Sequence, residues 1–377
     1  MSDDGPGRAR ALLDDAAVRM LEATALQRLG IAMASTALAL AIGLVVVAAA
    51  GYDPVTFLAD VFEGAFGDEN SIGRTLKFTT MFVLVGVAVA VAFRAGVFNI
   101  GVQGQFIVGG FATVVSILWL APLLPAGTVG GIALLVLGTL AGVVAGGLYA
   151  AIPGALKAYG DANEIITTIM LNFIAVGVVG YLVEGPLRGE GNRAPNTARI
   201  PEYVSLPSVV FDSPDFSLVG LAVALVVVGV VSVVMIRTRV GYDMVTSGHQ
   251  EAAATFSGVD AGRTVVTTMA FSGMVAGVAG AVFAIMIQGY YSDPGGVATY
   301  GFDAIAVSLL AANNPLGVVP AALLFGGLDS AGTHIGINSD VPPQLIDGIV
   351  GLVVLFVAAP ELFRMAARRT GLGGERR

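Results

Sequence analysis

The chain has 377 residues, of which 56% are hydrophobic and only 12% are charged, and its formal net charge is -8. So few charges exclude an ordinary soluble domain, and the continuous apolar runs of about 20 residues favour membrane-spanning helices over a membrane β-barrel. The chain has no cysteine and two histidines, which excludes a disulfide framework, a thiolate site and a histidine-based metal centre.

The apolar runs predict an all-α, polytopic membrane protein with about ten transmembrane helices, some of them interrupted near the midplane. Residues 1–28 are expected to form a cytoplasmic N-terminal segment, residues 29–360 the transmembrane domain, and residues 361–377 a cytoplasmic tail. No apolar stretch followed by a cleavage site opens the chain, so the first span is expected to act as the insertion signal. The predicted spans are 29–51, 75–93, 104–120, 130–151, 162–183, 217–236, 264–287, 301–312, 316–333 and 344–360.

The basic residues predict that both termini are cytoplasmic. This orientation places 14 of the 19 basic residues inside, as the positive-inside rule requires. It leaves two long external segments, 52–74 and 184–216, which either receive a partner or are plain solvated connections. Only two of the basic residues, Lys77 and Lys157, are lysines, which fits a high-salt cytoplasm or a GC-rich genome equally well.

A glycine-rich break separates the second and third spans at residues 93–105. Its glycines free the backbone, and the neutral amides Asn99, Gln103 and Gln105 lie at the junction. These side chains either satisfy the freed backbone groups of a tight turn or line a path for a solute. The sequence leaves both interpretations open.

A second polar group lies at residues 161–173, where Glu164, Thr167, Thr168 and Asn172 share one helix face. Asp161 and Glu164 have the spacing of a helix start, so capping is the favoured role for Glu164 and the solute path the alternative. Asn172 lies deeper in the apolar run and is a candidate for an interhelical or substrate contact.

Small residues recur at four-residue spacing in two other spans. Such spacing lets helix backbones approach closely, so it predicts packing within the bundle. The residues are Gly138, Gly142 and Gly146 in one span and Gly273 and Gly277 in another.

Residues 237–263 form a cytoplasmic loop between two spans, with small residues between flanking arginines. We interpret the stretch from Gly248 to Val259 as a coupling helix that lies in a groove of a cytoplasmic partner. This predicts a transporter subunit driven by a separate motor. The residues predicted to contact the motor are Gly248, Ala253, Ala254, Gly258 and Val259.

The apolar run 301–312 is too short to span a membrane, and Asn313, Asn314 and Pro315 interrupt it before the next run. A broken helix at membrane depth is tolerated only where it faces protein or a water-filled path. Asn313 and Asn314 are therefore added to the predicted translocation path.

The sequence gives little support for nucleotide hydrolysis by this chain, for ion coupling or for a serine hydrolase. The chain lacks a GxxxxGK[ST] loop and so is not expected to hydrolyse nucleotide itself. Its spans are nearly free of charge, which disfavours ion coupling. Ser330 and His334 are four residues apart, but the glycine-flanked setting of a serine nucleophile is missing.

Four sequence blocks resemble one family. They are FNIGVQGQ at 98–105, NEIITTIMLNFIA at 163–175, GHQEAAATFSGV at 248–259 and GFDAIAVSLLAANNPLGVVPAALLFGGL at 301–328. Together they resemble the permease subunits of ABC importers of the branched-chain amino acid and simple-sugar family, most closely its nucleoside-type branch. One departure is Gln250, where the family pattern suggests Asn.

The resemblance implies a permease of about ten spans that works with a second, identical or homologous permease, cytoplasmic ABC ATPases and an external substrate-binding lipoprotein. It places the ATPase contact at Gly248 to Val259, with ATP bound by the partner rather than by this chain. No metal, cofactor or nucleic acid is expected. A nucleoside is the first choice of solute, with a sugar or a branched-chain amino acid as the alternative and an ion-coupled carrier as a weaker one.

Overall fold

A computed structural model describes residues 25–191, 193–206, 216–249, 251–256, 258–296, 299–342, 344–353 and 355–356. This part of the chain is all-α and contains no β-strand, only one isolated bridge between Asn196 and Ser292. Its helices are α1 (Ala25–Ala49), α2 (Pro54–Phe66), α3 (Glu69–Arg94), α4 (Val102–Leu120), α5 (Thr128–Gly160), α6 (Glu164–Glu184), α7 (Leu218–Arg237), α8 (Arg239–His249), α9 (Glu251–Phe256), α10 (Ala261–Val282), α11 (Tyr300–Leu310), α12 (Val318–Asn338) and α13 (Gln344–Val353).

The all-α membrane fold is confirmed, and every predicted span contains a helix. In the part of the chain that the structure describes, six helices are long and apolar enough to cross a membrane: α3, α4 with the turn after it, α5, α6, α7, and α10 with its π-helical end. The apolar stretches at residues 34–49, 300–310 and 344–353 are shorter. Helix α12 has 21 residues, but Asp329 and His334 interrupt its apolar sequence.

Several helix boundaries differ from the sequence prediction, and two of these differences involve helix caps. The predicted external connection 52–74 contains α2 and the start of α3, which begins at Glu69 because the Asp68 carboxylate accepts the Ser71 N–H at 2.6 Å. The prediction that Asp161 begins a helix is wrong. Asp161 ends α5 in a left-handed conformation (φ 51°), and Asn163 caps α6 by accepting the N–H groups of Ile165 and Ile166.

The described chain forms two compact units, residues 1–61 with 332–377 and residues 62–331. In the smaller unit α1 packs on α13, since a Cβ added at Gly43 would lie 2.7 Å from Cγ1 of Ile349. The larger unit contains every predicted site residue.

Glycines bring α5 and α10 into backbone contact at the centre of the larger unit. A Cβ at Gly277 would overlap the carbonyl oxygen of Gly142, and one at Gly273 would overlap the carbonyl oxygen of Gly146. Gly138 packs on Ile117 of α4. The prediction that these glycines pack helices together is therefore confirmed, and the close packing fixes the position of α10, which carries part of the site.

Both predicted helix breaks are present. Helix α3 ends at Arg94 and α4 begins at Val102, with Gly96 in the left-handed region (φ 69°) between them. Helices α11 and α12 are joined by a turn in which Ala312 and Asn313 have φ values of 50° and 57°.

Candidate functional site

A cluster of buried amides fills the first break. The Asn99 side chain is fully buried and exchanges two hydrogen bonds with the Gln105 amide, each 2.9 Å long. Asn99 Nδ2 also donates to Ser272 Oγ of α10 at 2.9 Å, and the Ser272 hydroxyl donates to the Ala88 carbonyl of α3 at 2.6 Å. Asn99 Oδ1 accepts the Gly101 N–H at 3.0 Å. The cluster thus links α3, α4 and α10.

Two further amides extend the cluster to α6 and α11. Gln103 Oε1 accepts the Gly301 N–H at 2.7 Å. Asn172 Oδ1 accepts the Gly104 N–H at 2.8 Å, and its Nδ2 donates to the Ile100 carbonyl at 2.9 Å. Asn172, Gln103 and Gln105 are all at most 4% exposed. Four of the seven predicted path residues therefore meet in one place.

In this arrangement the cluster satisfies backbone groups that the helix break leaves open, as one of the two sequence interpretations requires. Its hydrogen bonds join neutral groups, so the region carries polarity without charge. The contact of these amides with a solute stays a prediction.

The other three predicted path residues lie outside the cluster. Glu164 forms an ion pair with Lys157 and begins α6. Asn313 accepts a hydrogen bond from Ser308 Oγ at 3.0 Å, and the exposed Asn314 accepts the Leu316 N–H at 3.1 Å. Asn313 and Asn314 therefore stabilise the turn between α11 and α12.

The described residues of the predicted coupling segment are helical as far as Phe256. Gly248 lies in α8 and Ala254 in α9, and Gly258 and Val259 lie beyond the end of α9. The N–H of Gly258 bonds to the Thr255 carbonyl and that of Val259 to the Ala254 carbonyl, both at 3.0 Å. With Gly258 at φ 83° this is a Schellman cap, which ends the helix because glycine adopts that conformation without strain.

Two small residues of this segment, Gly248 and Ala254, pack against the protein itself. Ala254 is fully buried. A Cβ at Gly248 would overlap the carbonyl of Ala95 in the turn after α3. The side chain of Ala253 lies outside the part of the chain that the structure describes.

Phe256 points the other way, and the sequence prediction missed it. Its side chain is 96% exposed, more than any other large apolar side chain among the described residues. It follows the buried Ala254 by two residues, which places the two on opposite sides of α9. The sequence signal that could have identified Phe256 is its position as an aromatic residue at the end of a helix of small residues.

Among the described residues no group of three or more His, Asp or Glu side chains could hold a metal ion. The Ser330 hydroxyl, considered above as a nucleophile, donates to the Gly64 carbonyl at 2.7 Å and accepts from Arg74 Nε at 3.1 Å. These bonds give Ser330 a structural role between α2, α3 and α12.

Comparison with known proteins finds one matching family and several relatives. The family described as the permease component of the branched-chain amino acid transport system matches residues 71–358. The guanosine ABC transporter permease protein NupP of Bacillus subtilis is 33% identical over 87% of this chain and 92% of its own length. The glucose ABC transporter permease protein TsgB13 of Haloferax volcanii is 32% identical over 90% of this chain and 89% of its own.

A third relative is the nucleoside ABC transporter permease protein NupB of Lactococcus lactis, 28% identical over 84% of this chain and 87% of its own length. No solved structure matches the chain.

Proposed function

Because the chain belongs to the family of permease components of the branched-chain amino acid transport system, we propose that it carries a nucleoside across the cell membrane as one subunit of an ABC importer. Its energy comes from a separate cytoplasmic ATPase. A second permease subunit and an external substrate-binding protein complete the proposed complex.

The exposed Phe256 is the observation that carries the ATPase contact. An almost fully exposed aromatic side chain on a helix that is anchored by a buried alanine is the kind of residue that anchors a protein interface. Ala254 and the Gly258 cap hold α9 in place, so the ring is presented on a fixed helix. The small residues predicted to contact the ATPase position this helix, and the Phe256 ring enters the partner groove.

The choice of a nucleoside rests on the relatives and on the neutral cluster. Relatives named for guanosine and nucleoside transport and one named for glucose transport match the chain over similar lengths. A neutral solute with several hydroxyl or ring-nitrogen groups suits uncharged amides, because a fixed charge at that depth is costly. A sugar is the alternative solute for the same site.

We place both termini in the cytoplasm, on the distribution of basic residues. Single cysteines introduced into this cysteine-free chain test this orientation. A cysteine at Ser205 should react with an impermeant maleimide in intact cells, and one at the 68% exposed Tyr242 should react only after the cells are opened. The reverse pattern would overturn the orientation.

The ATPase contact is tested with Phe256→Ser in the complete complex, with Phe256→Leu as the conservative variant. Loss of one buried aromatic anchor costs about 2 kcal/mol or more of binding free energy, so the serine variant should lose most of the co-purified ATPase. Tyr159→Ser removes another exposed aromatic ring, 72% exposed, and serves as the control. Equal ATPase recovery with Phe256→Ser and the parent would exclude α9 as the contact.

The solute is tested by uptake of radiolabelled guanosine and radiolabelled glucose into cells that express the complete importer. Guanosine uptake that excess uridine or adenosine reduces, with no glucose uptake, supports a nucleoside. The opposite pattern supports a sugar.

A further inference from the structure

The loop helices touch the turn after α3 through two glycines. A Cβ at Gly248 would overlap the carbonyl oxygen of Ala95, and a Cβ at Gly96 would lie 2.6 Å from the carbonyl oxygen of Gly248. The two backbones are therefore in direct contact, with no side chain between them. A rigid contact of this kind passes a displacement of α8 on to the turn, because close-packed backbone cannot be compressed.

The turn leads directly into the amide cluster. Asn99 follows Gly96 by three residues and is held by Gln105 and Ser272. A shift of the turn must therefore stretch or rearrange hydrogen bonds that reach α3, α4 and α10. Through Gln103 and Asn172 the same strain reaches α11 and α6.

A cavity of about 180 Å³ lies beside the two glycines. It is lined by residues of the turn, α5, α8 and the first turns of α10. Its lining includes Gly96, Val97, Lys157, Ser247, Gly248 and Thr268. The cavity gives α8 and the turn room to move together relative to α5 and α10.

Among the described residues of this region, two buried polar atoms have no hydrogen-bond partner. The Ser247 hydroxyl is 9% exposed and lines the cavity, and Arg94 Nε lies one residue before Ala95. A buried polar group without a partner is unfavourable, so an arrangement in which it gains one is favoured locally. An unsatisfied Ser247 hydroxyl beside this cavity points to a second arrangement of these helices.

We propose that Gly96 and Gly248 are positioning residues that form a joint, through which the ATPase-contacting helices rearrange the amide cluster during transport. The cavity beside the joint closes when α8 moves, and the Ser247 hydroxyl gains a partner in the closed arrangement. This inference rests on the proposed ATPase contact, and it adds the route by which that contact reaches the membrane interior.

The test uses the complete importer in lipid nanodiscs, with Val97→Cys as the reporter in this cysteine-free chain. Val97 lines the cavity and is 4% exposed. Its reaction rate with a small maleimide is compared between the nucleotide-free and the ATP-vanadate-trapped complex. We expect a change of about tenfold, within the usual range for two coupled sites. Equal rates in the two states would show a static cavity and overturn the proposal.

Gly248→Ala tests the joint itself, with Gly262→Ala as its matched control. The added methyl group clashes with Ala95 in the first variant, whereas at Gly262 the nearest atom is 3.5 Å away. Gly248→Ala should retain the ATPase but lose the rate difference at Val97→Cys and lower uptake by about tenfold. Gly262→Ala should change neither. Parental uptake by Gly248→Ala would also overturn the proposal.

If Gly248→Ala does not fold, the Val97→Cys rates in the parental chain still decide the question. The failures of the two proposals are distinguishable. Equal ATPase recovery with Phe256→Ser and with the parent counts against the contact at α9. Intact ATPase binding with equal Val97→Cys reaction rates in the two states counts against the joint alone.

Discussion

Helices α3 and α10 are more buried than α6 and α7, although their hydropathy does not predict this difference. In α3 and α10, 78% and 72% of the apolar window is buried, against 28% and 33% in α6 and α7. The most apolar of the four is α7, with a mean hydropathy of 3.0 against 2.1 for each of the others. Apolarity therefore does not decide which helix lies inside, because lipid tails solvate apolar side chains as well as protein does.

Small and hydroxylated side chains mark the inner helices instead. The inner faces of α10 present Gly273, Gly277 and Ser272, which contact backbone or donate hydrogen bonds to it. The outer face of α7 presents large side chains such as Val226 and Val230, 64% and 54% exposed. Three pairs of substitutions test this comparison of interior and periphery.

The largest effect is expected from a glycine in the interior. Gly277→Val should force α10 away from α5, because its Cβ would overlap the carbonyl of Gly142. Overpacking of this kind costs about 3 kcal/mol. Gly229→Val on α7 is the control, since a Cβ there meets nothing within 4 Å. Thermal unfolding in detergent should show a large fall in the midpoint for Gly277→Val only, and equal midpoints would contradict the comparison.

A smaller effect is expected from the amide cluster. Asn99→Leu leaves the Gln105 amide and the Gly101 N–H without their partner and removes one of the two hydrogen bonds of Ser272, at a cost of about 1–3 kcal/mol. Asn314→Leu removes one bond within an exposed turn and should cost about 0.5 kcal/mol.

Both variants are compared by their free energy of unfolding in mixed detergent. Uptake assays show whether transport falls together with stability. If Asn99→Leu is as stable as the parent but transports poorly, the amides serve the solute rather than the helix break.

The smallest effect is expected from two ion pairs at the predicted cytoplasmic ends of the helices. The Lys157 and Glu164 side chains are 29% and 14% exposed, whereas Arg239 and Asp243 are 89% and 26% exposed and 3.8 Å apart. Glu164→Gln should therefore lower the free energy of unfolding by about 1 kcal/mol and Asp243→Asn by about 0.2 kcal/mol. Raised salt should first reduce the stability loss caused by Asp243→Asn, which lies in the more exposed pair. A larger loss of stability for Asp243→Asn than for Glu164→Gln would contradict the role of burial.

Several features followed from the sequence because they depend on local chemistry. Apolar length predicted where helices lie, and glycine spacing predicted close helix contacts at Gly142 and Gly277. The same local reasoning placed both helix breaks, because runs of glycine or Asn-Pro interrupt a helix whatever surrounds it. The fold class and the family therefore needed no tertiary information.

The directions of side chains needed the tertiary structure. The sequence could not show that Ala254 faces inward and Phe256 outward, because either face of a short helix can meet the protein. Nor could it show that Asn99, Gln103, Gln105 and Asn172 converge while Asn313 and Asn314 remain in their own turn, since convergence depends on how distant helices pack. Sequence by itself determined the helices, their interruptions and the family, whereas packing alone decided which polar groups meet and which surface a partner can reach.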